Sequence, residues 1–533
     1  MSNKSKGTLL PQQVQAEYRQ ATDYKRQLGS RGLYEQTRIN ERFYSGDQWY
    51  GVNCGDSRPL VRYNVIKRIG DYKMAVVGAQ SVSVRFSAEG VPVTAASRQL
   101  VEGYRHALRQ GERPETLPAE AAAQAMAAAL TDYFATTAKR LKLEDLKQRI
   151  LRNAYISGTG VLYTYWDDSI RTGLYADEAR TAPIRGDIVT EVLDIEQVYM
   201  GDPSVEDVQQ QPYLIIAQRR AVTDIQRLAK ANGCRRWSEI RGEDGHATLL
   251  TRFWKEWGAD GRESIRAVQV CGDITVREAW DMGVKLYPLS VFRWEEKRHQ
   301  CYGESEIPYL IPNQIAINRT ISAGVWAVMM MGMPMMLVNG DVVTQPITND
   351  PGQIIPVYGS GEEVRDAVRY VDPPAFSAQL DENVQGLIRD TMTQAGVSTT
   401  LLGDVEPHNT SAIIAVREAS LMPLTMMQNR FYTFVEDVAR VWAKFWMAMY
   451  GNRALKIAEE QGVWYMPFDG EVCRDLLLNI GVDVGGGDAY SDTRTVETLD
   501  NLYSHGIINA KQYLSRLPRG TVPRLEALLQ EMA

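Results

Sequence analysis

The chain has 533 residues, 44% hydrophobic and 23% charged, which excludes a disordered or collagen-like protein and leaves room for about three or four modules at one per roughly 150 residues. Its 59 Lys and Arg against 66 Asp and Glu give a formal charge of -7, so the global basic footprint of a tight nucleic-acid binder is missing and any DNA contact must be local or weak. Five scattered cysteines without a CxxC pair point away from zinc and redox sites and toward a reducing compartment.

The first residues are polar and lack the apolar core of a secretory signal, which predicts synthesis and assembly inside the cell. Residues 13 to 45 have the pattern of a polar helix closing on Phe43-Tyr44-Ser45-Gly46-Asp47-Gln48-Trp49. Val65 to Val77 predict a second helix with Asn64 as its N-cap, and the alternation from Ser81 to Phe86 predicts a strand. An Ala-rich run predicts one long helix from Pro118 to Ile156, capped by Thr116 and ended by Gly158 and Gly160. Its cations Lys139, Arg140, Lys142, Lys147, Arg149 and Arg152 surround Glu144 and Asp145 and read as a solvated face.

Strands are predicted at Val161 to Trp166, Ile188 to Val198 and Tyr213 to Ala217, with a short helix at Thr223 to Ala231. The stretch from Ala247 to Trp294 is β-rich, with turns at Gly258 to Gly261 and Gly272-Asp273, and reads as a small hairpin module. A further helix begins near Pro308 or Pro312 and continues to about Met336. Within it, Ile321 to Val338 holds 18 residues without a charge, the lower edge of membrane-spanning length. Pro334, six methionines and the lack of a flanking basic cluster argue against a span. A helix apolar all round is equally served by protein neighbours, which makes Trp326, Val328 and Met330 candidate subunit-interface residues.

Polar, Gly/Pro-rich sequence fills much of Asn339 to Pro374, a length at which loops are usually functional. A long helix follows at Ser411 to Met449, with Phe431, Phe434, Val435, Val438, Trp442 and Phe445 at helical spacing, Trp446 widening the stripe, and a kink expected at Pro423. Asp492 to Tyr503 and Ala510 to Ser515 predict short terminal helices.

No GxxxxGK[ST], HExxH or GxSxG motif occurs, so the signatures of an ATPase motor, a zinc protease and a common hydrolase are absent. The run Gly485-Gly486-Gly487 meets Asp488, which repels phosphate. Asp404, Glu406 and His408 alternate as an oxygen and nitrogen ligand set, but Pro407 interrupts any strand and the stretch precedes a helix whose free amides attract such residues. A capping loop is the stronger reading, and no catalytic residue, metal site or cofactor is expected.

Several phrases, in the same order along the chain, resemble those of the portal proteins of tailed bacteriophages. They are Phe43 to Trp49 followed by Arg58-Pro59-Leu60 and Asn64-Val65-Ile66; Asn153 to Gly160 leading into a strand; and Gly303-Glu304-Ser305 leading into Gln314, Asn318 and Ser322 on a helix that ends at Pro334. The series continues with Gly396-Val397-Ser398 and Leu402-Gly403-Asp404 before Ser411. It ends with Asp483-Val484-Gly485, Thr498 to Leu502, Gly506-Ile507-Ile508 and Tyr513 to Pro518. The stretch from Ala247 to Trp294 has no matching phrase.

The resemblance implies an α+β, portal-type fold with long stem and wing helices, a small β-rich module and a helical C-terminal crown. It places the N-terminal part of the wing at 1–245, the β-rich module with the clip at 246–302 and the stem-to-wing helix at 303–337. The channel, or tunnel, loop region falls at 338–375, the wing helix and connector at 376–410, and the crown and tail at 411–533. It further implies a dodecameric homo-oligomer at one capsid vertex, assembled in the host cytoplasm and carried in the virion. Its channel passes double-stranded DNA without sequence specificity, and its partners are the terminase large subunit, a head-tail adaptor, and the major capsid and scaffolding proteins.

On this reading Asn339, Asp341, Gln345, Asn349 and Asp350 belong to a DNA-channel loop. Asp341 and Asp350 are the only charges between Asn339 and Ser360, which favours sliding over gripping. The alternatives are another head-tail connector or minor capsid subunit, a metal-dependent nuclease built on Asp404, Glu406 and His408, and a membrane-anchored coat protein.

Overall fold

The computed structural model describes residues 11–53, 59–78, 82–88, 99–100, 103, 107, 119–175, 183–258, 261, 263–332, 336–343, 346–348, 354–365, 367–370, 378–397, 410–450, 452–459, 462–469, 478–484, 489–514 and 517. Helix and strand are both abundant, and every strand pairing among the described residues is antiparallel. The class is therefore α+β, without βαβ crossovers among the described residues. Two compact units form: unit 1 is Met1–Arg38, Asp71–Glu306 and Leu421–Ala533, and unit 2 is Ile39–Gly70 and Ile307–Ser420.

The predicted helix over 13 to 45 is two helices, α1 (Pro11–Gln27) and α2 (Leu33–Ser45). Gly29 and Gly32 between them adopt φ of 71° and 78°, and a Cβ on Gly32 would lie 2.2 Å from the Arg26 carbonyl oxygen, so only glycine fits this turn. Helix α3 (Val65–Gly78) starts as expected, because the Asn64 Oδ1 accepts from the Lys67 amide at 2.9 Å. After β1 (Val82–Ala88), the predicted single helix over 118 to 156 is again a pair, α4 (Ala119–Arg140) and α5 (Leu143–Ser157). Lys142 breaks it at φ 53°, and Gly158 caps α5 through its amide to the Ala154 carbonyl. The cationic face is not wholly solvated: Lys147 is buried, bonded to Glu144 at 3.0 Å, with its amine 5.9 Å from the Phe431 ring centroid.

Strands β2 (Thr159–Tyr175) and β3 (Pro183–Asp194) pair as a long hairpin, and β4 (Val198–Met200) and β5 (Tyr213–Ala221) begin a second sheet. Helix α6 (Val222–Ala231) precedes β6 (His246–Trp257), β7 (Glu263–Cys271), β8 (Ile274–Asp281) and β9 (Leu289–Arg293). The sheet order is β4-β5-β6-β7-β8, so it takes strands from both sides of position 246, while β9 joins β2 and β3 in a separate three-stranded sheet. Both faces of the larger sheet are apolar, because neighbouring strand residues point to opposite sides. Leu250, Val268 and Val270 pack with Val14 and Ala21 of α1, whereas Leu249, Cys271 and Val276 pack with Ile225 and Ala229 of α6.

Past α7 (Ile307–Gly332), β10 (Met336–Val338), α8 (Gly361–Arg365), β11 (Val368–Tyr370) and α9 (Ala378–Gln394), the chain forms α10 (Thr410–Met449) with Pro423 inside it. The aromatic stripe of α10 is buried as its spacing predicts, and Trp446 and Met447 are buried with it, so more than one face is covered. Phe431 meets Phe292 of β9 at 5.3 Å, Trp442 meets Phe134 at 5.1 Å, and the Trp442 indole donates to the Thr164 hydroxyl at 3.2 Å. The region expected to be helical after α10 also contains strands β12 (Asn452–Glu459), β13 (Gly462–Asp469) and β14 (Leu478–Val484) before α11 (Ala489–Ser504) and α12 (Ala510–Leu514). Strand β14 pairs with β1, a partner nearly four hundred residues away in sequence.

Two buried lysines hold unit 1 together. Lys73 of α3 donates to both carboxylate oxygens of Glu306, at 2.6 and 2.8 Å, with both side chains nearly excluded from water. Lys25 of α1 is fully buried: its amine donates to the carbonyls of Ile195 at 2.5 Å and Glu196 at 3.3 Å and sits 3.7 Å from the Tyr199 ring centroid. Burial lowers the Lys25 pKa well below 10.5, opposed by the nearby Glu196 carboxylate.

Replacing Lys73 by Met leaves Glu306 buried without a countercharge and is expected to cost about 3–5 kcal/mol, whereas Lys73→Met with Glu306→Met costs less than either single change. Thermal melts check this: the double variant should melt above both single variants. For Lys25, the unfolded chain holds its proton more tightly than the folded one, so stability rises with pH between the lowered folded value and 10.5. Below pH 10, before unfolded tyrosines ionise, denaturation midpoints of the parent should climb with pH more steeply than those of Lys25→Met.

Candidate subunit-contact and channel surface

Helix α7 is divided along its length. Gln314, Asn318 and Ser322 recur at every fourth position, so they share one face, and that face lies against the extended segment 61–66 within unit 2. The Ser322 hydroxyl accepts from the Val61 amide at 3.0 Å, Asn318 Oδ1 accepts from the Tyr63 amide at 3.0 Å, and Gln314 Oε1 accepts from the amides of Val65 and Ile66 at 2.9 and 3.2 Å. The Gln314 amide donates to the Tyr63 carbonyl at 2.5 Å, and Asn318 donates to Gln48 at 2.7 Å. Gln314, Asn318 and Gln48 are buried, so each bond replaces water that has been excluded. The first amides of α3 and an extended stretch with no strand partner are thereby satisfied.

The second half of α7 has the opposite character. No charge occurs between Arg319 and Asp341. Val325, Val328, Met329, Met330 and Met331 are exposed, Val328 by 57%, and Trp326 is half-buried. Of the three interface residues predicted from sequence, Val328 and Met330 stand in solvent on the single chain and Trp326 partly so. Among the described residues, no helix is long and apolar enough to cross a membrane.

The 338–375 stretch, read as polar loop, is a small folded excursion over its described part. Strands β10 and β11 pair Met336 with Tyr370 and Val338 with Val368. Between them Val342, Val343 and Ala367 are buried together, with Ile347 and Ile355 packed against them. The Asn339 amide donates to the Ala367 carbonyl at 2.9 Å, and its Oδ1 accepts from the Asp341 amide at 3.1 Å, so Asn339 shapes a turn while Asp341 stays exposed. Gln345, Asn349 and Asp350 lie outside the described residues, as do Asp404, Glu406 and His408. No cluster of metal-ligating side chains occurs among the described residues.

Sequence reasoning missed the outer side of this excursion. Leu337, Ile354 and Tyr358 are exposed by 61%, 88% and 68%, and Val357, Val364 and Val368 also face solvent. The signal was present in Ile354-Ile355-Pro356-Val357-Tyr358, an apolar run inside a polar stretch, where Ile355 turns inward and Ile354 outward. Seventeen of the twenty-four large hydrophobic side chains exposed among the described residues belong to unit 2, although it is the smaller unit.

A scan of the sequence against protein-family models and a search of curated proteins gave no match.

Removing the Gln314 side chain should strand the amides of Val65 and Ile66 and the Tyr63 carbonyl. Gln314→Ala is expected to destabilise unit 2 by about 1–3 kcal/mol. Hydrogen exchange checks this by faster exchange of the α3 N-terminal amides than in the parent, with the β5 and β6 amides unchanged.

Proposed function

We propose that the chain is the subunit of a phage portal ring, a dodecamer at one capsid vertex whose channel conducts DNA during packaging and ejection. The single observation that carries this reading is the concentration of exposed apolar side chains in unit 2, centred on an α7 whose other half is hydrogen-bonded in place. Such a surface, with no membrane-length helix among the described residues, calls for protein neighbours, and a closed ring of repeated contacts supplies them to every copy without leaving an edge. The ordered sequence phrases that resemble portal proteins supply the rest, and Gln314, Asn318 and Ser322 belong to them.

In this role the protein supplies geometry and leaves chemistry to others. Its acid excess and the exposed Asp341 on the excursion keep phosphate contacts weak, so that DNA slides instead of being held. ATP hydrolysis belongs to the terminase large subunit, which docks on the ring during packaging. A head-tail adaptor and the capsid and scaffolding proteins are its other partners.

Negative-stain electron microscopy of the purified full chain is expected to show rings with a central hole. A Val328→Asp variant should express in soluble form but sediment mainly as monomer, because a carboxylate cannot be desolvated in an apolar contact without several kcal/mol of penalty. A parent that sediments only as monomer over a wide concentration range would overturn the proposal.

A further inference from the structure

We infer that the 336–370 excursion of one copy covers the exposed half of α7 in the next copy, so that the excursion is a clasp between subunits as well as a channel element. This rests on the ring reading and goes beyond it by naming the two surfaces that meet.

Each of the two surfaces is unpartnered and uncharged. The first is the α7 face of Val325, Val328 and Met329, within a run that has no charge from Thr320 to Gly340. The second is the outer side of the excursion, carried by Ile354, Val357 and Tyr358, within a segment that has no charge from Pro351 to Ser360. Joining them buries no ionised group, so the apolar gain of roughly 25 cal/mol per Å² is not offset by charge desolvation.

The described part of the excursion has internal ties. Its ends are tied by β10 and β11, and Val342, Val343 and Ala367 give it a core of its own. Ile355 is held against that core, which fixes Ile354 on the opposite side at 88% exposure. An isoleucine so far in water gains apolar burial from a partner.

A second copy is the occupant that satisfies both surfaces together. They differ from each other, one a helix face and the other a hairpin flank, so their contact is heterologous. Each copy then uses its excursion on one neighbour and its α7 on the other, and the series closes into a ring with neither surface left over. A foreign partner would have to match two unlike surfaces. On the excursion, Asp341 is itself exposed.

The test uses the full-length chain in two variants, Val328→Cys and Tyr358→Cys, each with a different tag. They are co-expressed, and the assembled fraction is treated with a short bismaleimide. A covalent dimer carrying both tags is expected at least tenfold above that given by the parent, whose native cysteines set the background, or by either variant alone. Oligomers that form without the mixed dimer would overturn the inference while leaving the ring reading intact. A Val328→Cys, Tyr358→Cys double variant that links only within one chain would do the same. Monomers at every concentration would instead remove the ring reading itself. Independently, Ile354 is 88% exposed, so the melting temperature of Ile354→Asp should match the parent while its oligomer fraction falls about tenfold. Undiminished assembly of that variant would count against the clasp.

Discussion

The hydrogen bonds from Gln314, Asn318 and Ser322 to the backbone of residues 61–66 determine what α7 offers to anything outside the chain. One helical face carries an unbroken polar ladder at a spacing of four, and that face is committed. Beyond Ser322 the ladder stops, and no charged residue appears until Asp341. The helix therefore changes solvent preference halfway along, from buried polar to exposed apolar. Such a change is stable only if the first half is anchored strongly enough to hold the second half outward. Buried side-chain amides that serve main-chain groups provide that anchoring, because leaving either partner unpaired costs more than the bond itself contributes.

Unit 1 has a different logic. Its five-stranded sheet is covered on both faces, by α1 and by α6, and its three-stranded sheet receives the aromatic stripe of α10. Three lysines are buried in it, each with a distinct solution. Lys73 meets a carboxylate, Lys147 bonds to Glu144 on its own helix, and Lys25 is met by two carbonyls and an aromatic face. The bonds of Lys25 and Lys73 tie α1 and α3 to distant parts of the chain.

Most helices were legible in the sequence because period and caps are local properties. Asn64, Gly158 and the stripe from Phe431 to Phe445 marked their elements from within a few residues. The break at Lys142 was not legible, since the flanking sequence keeps a helical composition and the interruption lies in the sign of φ, whereas Gly29-Ser30-Arg31-Gly32 carried a turn signal that was passed over. Strand β14 was missed because its partner is β1, and no short window contains both, whereas β12 and β13 pair with each other within one short stretch and were passed over. At the candidate site, Val328 and Met330 were singled out by the absence of charge. Ile354 and Tyr358 were passed over, since a polar neighbourhood hid an apolar run whose alternation only matters once the excursion folds.

The sequence by itself determined that this is an α+β chain with an acid excess, an uncharged stretch from Thr320 to Gly340 and a polar ladder on the helix before it. Those are properties of residue identity and spacing, which need no partner to be read. Tertiary structure alone decided that the larger sheet draws strands from both sides of residue 246, that Lys25, Lys73 and Lys147 are inside, and that the 336–370 segment is folded with its apolar flank turned out. Each of these depends on which distant segment arrives beside a residue. A lysine or an isoleucine carries no sign of that in its own neighbourhood, because burial and exposure belong to pairs of surfaces and not to single residues.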